Sequence, residues 1–251
     1  MTPTDRRGAV VVGASAGVGR ALATSLARRG YDLVIAARDE RDLCAVAKDL
    51  ETRHGRRVVP LPIDLDGGDD ALQAWFDECR ARMPDVEAVL IPAGAVDDAD
   101  DGMQEWSAAD RLLATNFVAV MKLGSRFLAD FEARGRGTLV LISSIAAAAP
   151  RKRNVVYAAS KAALESYARS MQHRFAETDV LVNLYALGYV DTAMSRGRKL
   201  LLPPADPMRI AEAIVDDLSR ARRFAHLPRY WRAITFVIRI LPWPLYRRLG
   251  F

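Results

Sequence analysis

The sequence predicts an α/β domain: one parallel sheet of about seven strands with helices on both faces. Three observations lead there. Short β-branched apolar runs alternate with stretches of helical periodicity over most of the chain, which is the pattern of βα units. The first apolar run leads straight into a glycine-rich turn and then a helix. The chain has 251 residues, 51% of them hydrophobic, which suits a single domain with a sizeable core. The sequence contains no internal repeat, low-complexity segment or linker.

Residues 8–12 form the first strand. It enters Gly13-Ala14-Ser15-Ala16-Gly17-Val18-Gly19, and a helix follows over 20–29. Glycines in such a turn let the backbone approach a pyrophosphate, whose charge then sits at the helix N-terminus. Gly13, Ser15, Ala16, Gly17, Val18 and Gly19 are therefore candidate dinucleotide contacts, and the domain reads as a Rossmann-type, doubly wound sheet. A second strand, 32–37, ends on Arg38. An acid at this position would grip the adenosine ribose and repel a 2′-phosphate, so Arg38 favours NADP(H) over NAD(H), with Asp39 and Glu40 next door opposing it in part.

A polar helix over 40–53 leads to a third strand, 57–63, and then to Asp64 and Leu65. Strand C-terminal ends are where open α/β sheets bind ligands, so both are candidates for the adenine end; Asp64 equally suits a turn preceding the helix at 69–82. Strand 86–91 ends in Pro92-Ala93-Gly94, whose small residues allow a cofactor to lie against the backbone. Residues 104–134 are helical with Asn116 in the middle, a poor interior helix former that predicts a kink or a bound water. Strand 137–142 delivers Ser143 and Ser144, helix 155–177 follows, and strand 179–186 runs into Leu187-Gly188-Tyr189-Val190-Asp191-Thr192. Residues 193–205 lack periodicity and read as a mobile lid over the substrate. A helix at 207–222 and a short strand at 223–227 complete a catalytic domain of residues 1–227, leaving a tail of residues 228–251.

Tyr157 and Lys161 lie four residues apart, one turn along a common helical face. An ammonium near a phenol favours the phenolate and draws the tyrosine pKa down from its usual ~10. Tyr157 is then a usable proton donor to a developing alkoxide, or a base in the reverse direction. Ser144, thirteen residues earlier, is placed to hydrogen-bond the same substrate oxygen.

The formal charge of +5 is uneven. Beyond Asp217 there are eight arginines and no acid, so the preceding residues carry 28 bases against 31 acids. The basic balance belongs to the tail, which argues against a nucleic-acid partner for the domain. Cys44 and Cys79 have no CxxC partner and read as reduced cytosolic thiols. His54, His173 and His226 have no ligand-like spacing, so no metal site is expected. The first residues carry no apolar signal-peptide core, and a cytoplasmic location is expected.

Taken together these residues resemble the short-chain dehydrogenase/reductase family over about residues 8–227. The glycine turn, Asp64, Asn116, Ser144, Tyr157 with Lys161, and Gly188 through Thr192 occur in that family's order and spacing. The resemblance implies that Ser144 orients a substrate carbonyl and Tyr157 protonates it. It also implies that Lys161 lowers the tyrosine pKa and holds the nicotinamide ribose, and that Asn116 carries a water of the proton relay. Val190 and Thr192 would meet the nicotinamide carboxamide. A homodimer or homotetramer pairing through the long helices at 104–134 and 155–177 is implied as well. The chain departs from the pattern at Val12 (usually Thr), at Ile91-Pro92-Ala93-Gly94 (usually Asn-Asn-Ala-Gly) and at Leu187 (usually Pro), so two loops lose side-chain hydrogen bonds and must be held otherwise.

A narrower resemblance joins Ser143–Ala146, Arg151-Lys152-Arg153-Asn154 and the arginine-rich ending to reductases that act on a 2-keto pentose carried by a polyprenyl phosphate. The basic spacer at 151–154 would lie near the mouth of the site, where a substrate phosphate is met or where a charged loop is simply solvated. In the tail, thirteen residues separate Pro228 from Pro242. As a helix they reach ~20 Å, short of the ~30 Å hydrocarbon core, and cannot span a bilayer. Arg229, Arg232, Thr235 and Arg239 share one narrow stripe and apolar residues cover the rest. Such a helix suits a membrane surface, or packing on its own domain. Three functions fit: a reductase of a lipid-linked keto sugar, a reductase of 3-oxoacyl or 3-ketosphingoid lipids, and a cofactor-sensing protein without turnover.

Overall fold

The apolar runs pair side by side as β1 (Arg7–Val12), β2 (Tyr31–Ala36), β3 (Val58–Pro60), β4 (Val86–Ile91), β5 (Arg136–Ser144), β6 (Asp179–Leu187) and β7 (Ala225–Leu227). All pairings are parallel, in the order β3-β2-β1-β4-β5-β6-β7. The computed structural model describes residues 7–103, 105–193, 195, 197 and 200–249. Between β1 and β4 the winding reverses, which opens a crevice at the C-terminal ends of the strands. Alternate strand residues serve two cores. Ala9, Val11, Leu33 and Ile35 face one side, against α1 (Gly17–Arg28), α2 (Glu40–His54) and α7 (Pro207–Asp216). Val10, Val12, Val34 and Ile91 face the other, against α3 (Gly68–Arg82), α5 (Ala119–Arg134) and α6 (Val155–Arg174). Burial on both faces explains why these strands read as continuous apolar runs.

Several element boundaries differ from expectation, two of them for a local reason. The third strand ends at Pro60, short of residue 63, where the Leu61 carbonyl accepts the Trp75 indole N–H at 3.2 Å. The backbone still follows β2, with the N–H groups of Leu61 and Ile63 donating to Ile35 and Ala37 carbonyls at 2.9 and 3.0 Å. Pro60 and Pro62 thus fall on the open edge, where a missing donor costs nothing and blocks pairing with another chain. Helix α7 stops at Asp216 rather than 222. Buried Asn183 on β6 donates to the Asp217 and Arg220 carbonyls and accepts the Arg222 N–H, holding 217–222 out of helical geometry. The helix at 155–177 closes three residues early, at Arg174.

The long helical stretch runs as α4 (Trp106–Leu113), a π-turn at Ala114–Val118, then α5. Its length and apolarity would allow it to cross a membrane on composition alone, but Phe127 and Phe131 are fully buried against the sheet. Asn116 sits in the π-turn, a wide turn that often marks functional sites. After β7 come α8 (Trp231–Ile240) and the short α9 (Trp243–Tyr246).

Candidate active site

A cleft of about 520 Å³ lies at the C-terminal ends of β1, β2, β4, β5 and β6. Its walls include Gly13, Ser15, Ala16, Gly17, Val18, Gly19, Arg38, Asp64 and Leu65 at one end. Ala93 and Gly94 lie along it, and Ser144, Tyr157, Lys161, Gly188, Val190 and Thr192 line the other end. Of the candidate catalytic and cofactor-binding residues, Asn116 is the one that is not on the wall; it is fully buried behind it.

The glycine turn is shaped for a close approach. A Cβ on Gly19 would overlap the Gly13 carbonyl, and Gly17 packs under Thr192, which brings the loop after β6 against the turn after β1. Helix α1 starts at Gly17 with no side-chain cap and no acid in its first turn. Its free N–H groups and dipole favour an anion at that end. These features fit the pyrophosphate of a dinucleotide. The Val12 and Pro92 departures are compensated by the backbone. The Ala93 N–H donates to the Val12 carbonyl at 3.1 Å, and the Gly13 and Ala14 N–H groups share the Ala36 carbonyl.

At the end of β2 Arg38 is exposed on the cleft wall. Asp39 accepts the Asp42 N–H at 2.9 Å and caps α2. Asp64 makes a turn, accepting the Asp66 N–H on its side chain, while remaining on the wall.

At the other end Lys161 is 3% exposed and donates to the Ile142 carbonyl at 3.1 Å. Burial pulls its pKa from 10.5 to about 8. Its Nζ lies 5.9 Å from the Tyr157 ring centroid. A Cβ on Gly94 would sit 3.2 Å from Lys161 Nζ and 3.3 Å from Asn116 Oδ1, so the small residue lets these groups converge. The Asn116 amide binds both the N–H and the carbonyl of Ala95, at 2.6 and 2.8 Å, and so pins the loop after β4. Ser144 Oγ accepts the Ala146 N–H at 3.1 Å, which leaves its hydroxyl proton for a ligand oxygen. Behind it, Ser143 donates to buried Glu165 at 2.9 Å; burial raises the Glu165 pKa, opposed by that bond and by Arg169 and Arg239.

Sequence reasoning missed several wall residues, among them Thr115, Ile145 and Tyr189. Of the basic spacer, Arg151 and Asn154 reach the cleft wall. The expected lid falls partly on residues 194, 196, 198 and 199, which lie outside the described residues. Within it, Ala205 bridges Val190, and Ser195 Oγ ties Thr192 to Val190.

A glycine turn at one end of the cleft, and a buried lysine beside a tyrosine with a serine at the other, together suit hydride transfer with a proton delivered to oxygen. The family model of the short chain dehydrogenases matches residues 7–200. The chain belongs to that family. As a short-chain dehydrogenase it is an NAD(P)-dependent oxidoreductase. An uncharacterized oxidoreductase of Streptomyces coelicolor is 33% identical to it, over 97% of this chain and 96% of that one. One of Mycobacterium tuberculosis is 28% identical over the full length of both. A short-chain dehydrogenase from Sphingobium yanoikuyae in complex with NADPH has the same fold, with a TM-score of 0.81 at 24% identity, covering 97% of this chain and 96% of that one.

Proposed function

We propose that this dehydrogenase reduces a ketone on a lipid-linked sugar, such as a polyprenylphosphoryl 2-keto pentose, with NADPH preferred over NADH. The observation that carries the reductase chemistry is the convergence of Ser144, Tyr157 and buried Lys161 on one end of a cleft whose other end is the glycine turn. A nicotinamide cofactor held along this cleft would supply the hydride for the carbonyl carbon. Ser144 holds the carbonyl oxygen, and Tyr157 gives it a proton, so that the ketone becomes an alcohol. Lys161, kept near the phenol, favours the phenolate that remains. Asn116 holds the Ala95 backbone and with it the wall beside the cofactor.

The NADPH preference rests on Arg38 at the end of β2, with the carboxylate of Asp39 directed to the α2 cap. The cofactor in the Sphingobium structure agrees. The substrate class rests on Arg151 at the cleft, on the basic apolar tail, and on the resemblance to the decaprenylphosphoryl-2-keto-pentose reductase, the reductase subunit of the decaprenylphosphoryl-ribose 2′-epimerase system of mycobacteria. The same tail would serve a long-chain 3-oxoacyl or 3-ketosphingoid substrate. The enzyme would work as a homodimer or homotetramer at the cytoplasmic face of the membrane, touching it through the tail.

Oxidation of NADPH by the full-length protein, measured with polyprenylphosphoryl keto pentoses and with long-chain 3-ketones, separates these substrates. Tyr157→Phe should lower turnover by a factor of about 100 or more, the scale of a lost general acid, with NADPH affinity within about twofold of the parent. Wild-type turnover by Tyr157→Phe would sink the mechanism. Tight NADPH binding without turnover on any carbonyl would make the chain a cofactor sensor instead.

A further inference from the structure

Helix α6 carries Tyr157 and Lys161, yet it begins without a cap of its own. Its N-cap residue, Asn154, lies in the left-handed region (φ 55°), makes no side-chain cap bond, and no acid follows in the first turn. The N–H groups of a helix's first turn need acceptors, and a buried one left without any is costly. They find them in one residue far upstream. Asp100, 1% exposed in the loop between β4 and α4, takes the Val156 N–H on Oδ1 at 2.9 Å and the Tyr157 N–H on Oδ2 at 2.8 Å. Its main-chain carbonyl takes the Asn154 N–H at 2.6 Å.

The loop is built to hold Asp100 there. Asp97 accepts the Ala99 N–H on its side chain and the Asp100 N–H on its carbonyl, and Asp101 accepts the Met103 N–H. The loop starts at Ala95, which Asn116 grips by both backbone groups, directly after the cleft residues Ala93 and Gly94.

We infer that Asp100 is a positioning residue for Tyr157: it caps the catalytic helix from outside and fixes its first turn to the cofactor wall. The carboxylate bonds the Tyr157 backbone itself, so the reach of the phenol into the cleft depends on it. The two acceptor oxygens are both engaged, and the negative charge faces the positive end of the helix. The inference rests on the proposed role of Tyr157.

The test compares Asp100→Ala, Asp100→Asn and Asp206→Ala in the full-length protein. Asp206 caps α7 by accepting the Met208 N–H at 2.8 Å and stands for the loss of an ordinary cap. In Asp100→Ala, kcat should fall at least about tenfold with the NADPH Kd changed less than about twofold, since a cap bond to a charged group is worth that order in an equilibrium. Asp100→Asn keeps one oxygen acceptor and should recover at least half of that loss on a logarithmic scale. Asp206→Ala should lower Tm without changing kcat. Independently of activity, amide exchange in the first turn of α6 should speed up at least about tenfold in Asp100→Ala and not in Asp206→Ala. Parent-like kcat in Asp100→Ala overturns the inference, as does a fall in kcat matched by an equal loss of NADPH binding. If no carbonyl is turned over by the parent protein, the exchange measurement alone decides: unchanged exchange at 155–158 removes the cap.

Discussion

At the scale of single residues, the buried charge of Lys161 has a consequence that thermodynamics makes measurable. Its folded-state pKa, about 8, lies below the ordinary lysine value. Between about pH 8 and 10.5 the unfolded chain therefore holds more of this proton, and the contribution to stability rises with pH across that window. Below pH 8 the ammonium is charged in both states and its desolvation penalty is complete. Lys161→Met removes the penalty, so without cofactor its stability relative to the parent should be most favourable at pH 7 and decline towards pH 10. The change is at most about 3 kcal/mol, at 1.36 kcal/mol per pKa unit. Parallel stability curves for the two proteins from pH 7 to 10 would show that the lysine is not charged in a dry site. Arg38 makes a second residue-scale prediction. Arg38→Asp replaces a charge-assisted contact with repulsion, and KM for NADPH should rise about ten- to a hundredfold while NADH is used better. An unchanged NADPH/NADH ratio would mean that Arg38 is only a surface residue. Tyr157 and Lys161 stood out by their four-residue spacing with Ser144 thirteen residues earlier, and Asn116 as a poor helix former inside a helix, while their joint roles came from the family resemblance. Asp100 did not stand out, because it sits in the acidic run 97–101, which reads as a solvated charge cluster. The signal that existed was the uncapped start of α6.

At the scale of elements, the parallel sheet of about seven strands and the βα alternation were legible because parallel strands buried on both faces announce themselves as apolar runs. The fate of α8 was not, because periodicity cannot say which face finds a partner. The stripe of Arg229, Arg232, Thr235 and Arg239 suited a helix on a membrane surface or one packed on its own domain. Its arginines are exposed, but Thr235 is 3% exposed, bonding His226 Nε2 at 3.0 Å, and Arg239 donates to the Ala148 carbonyl at 3.0 Å, just beyond Ser144. Trp231, one turn before Thr235, is also buried and stands edge-on to Tyr189, with ring centroids 5.0 Å apart. It lies so close to Gly188 that a Cβ there would overlap the indole. The Tyr246 hydroxyl of α9 reaches the Pro150 carbonyl. The tail thus grips both loops that flank the catalytic end of the cleft. Gly188→Ala forces Trp231 or the loop to move and should cost about 1–3 kcal/mol, the usual range for overpacking. Thermal denaturation reads this as a drop of several degrees, and NADPH affinity should fall with it. The double variant Gly188→Ala/Trp231→Leu should recover part of the loss relative to the sum of the single changes. Simple additivity would mean that the indole and the loop are not coupled.

At the scale of the whole molecule, α8 packs inward through Trp231 and Thr235 and leaves much of its apolar surface out. Among the described residues, six of the nine large hydrophobic side chains that stand exposed lie between 230 and 245: Tyr230, Phe236, Val237, Ile240, Trp243 and Leu245. Around them are Arg229, Arg232, Arg247 and Arg248, with no acid anywhere after Asp217. Self-association through a twofold axis would bring these arginines against their own copies, with no carboxylate in the tail to pair them. An anionic bilayer surface offers both an apolar layer for the side chains and phosphates for the guanidinium groups, each worth ~1 kcal/mol near the surface. The tail is anchored beside the catalytic end of the cleft through Ala148 and Pro150, so a membrane-bound tail would hold that end near the lipid. The full-length protein should therefore float with vesicles containing phosphatidylglycerol and far less with pure phosphatidylcholine, and salt should weaken the binding. Phe236→Ser/Trp243→Ser should reduce flotation at least about tenfold, as expected for about 2–3 kcal/mol of lost apolar contact. Turnover of a water-soluble ketone should stay as in the parent, since neither side chain reaches the cleft. Flotation that ignores both lipid charge and these substitutions would exclude the tail as the contact, and a parent protein that dimerises through it would instead lose its dimer in the same double variant.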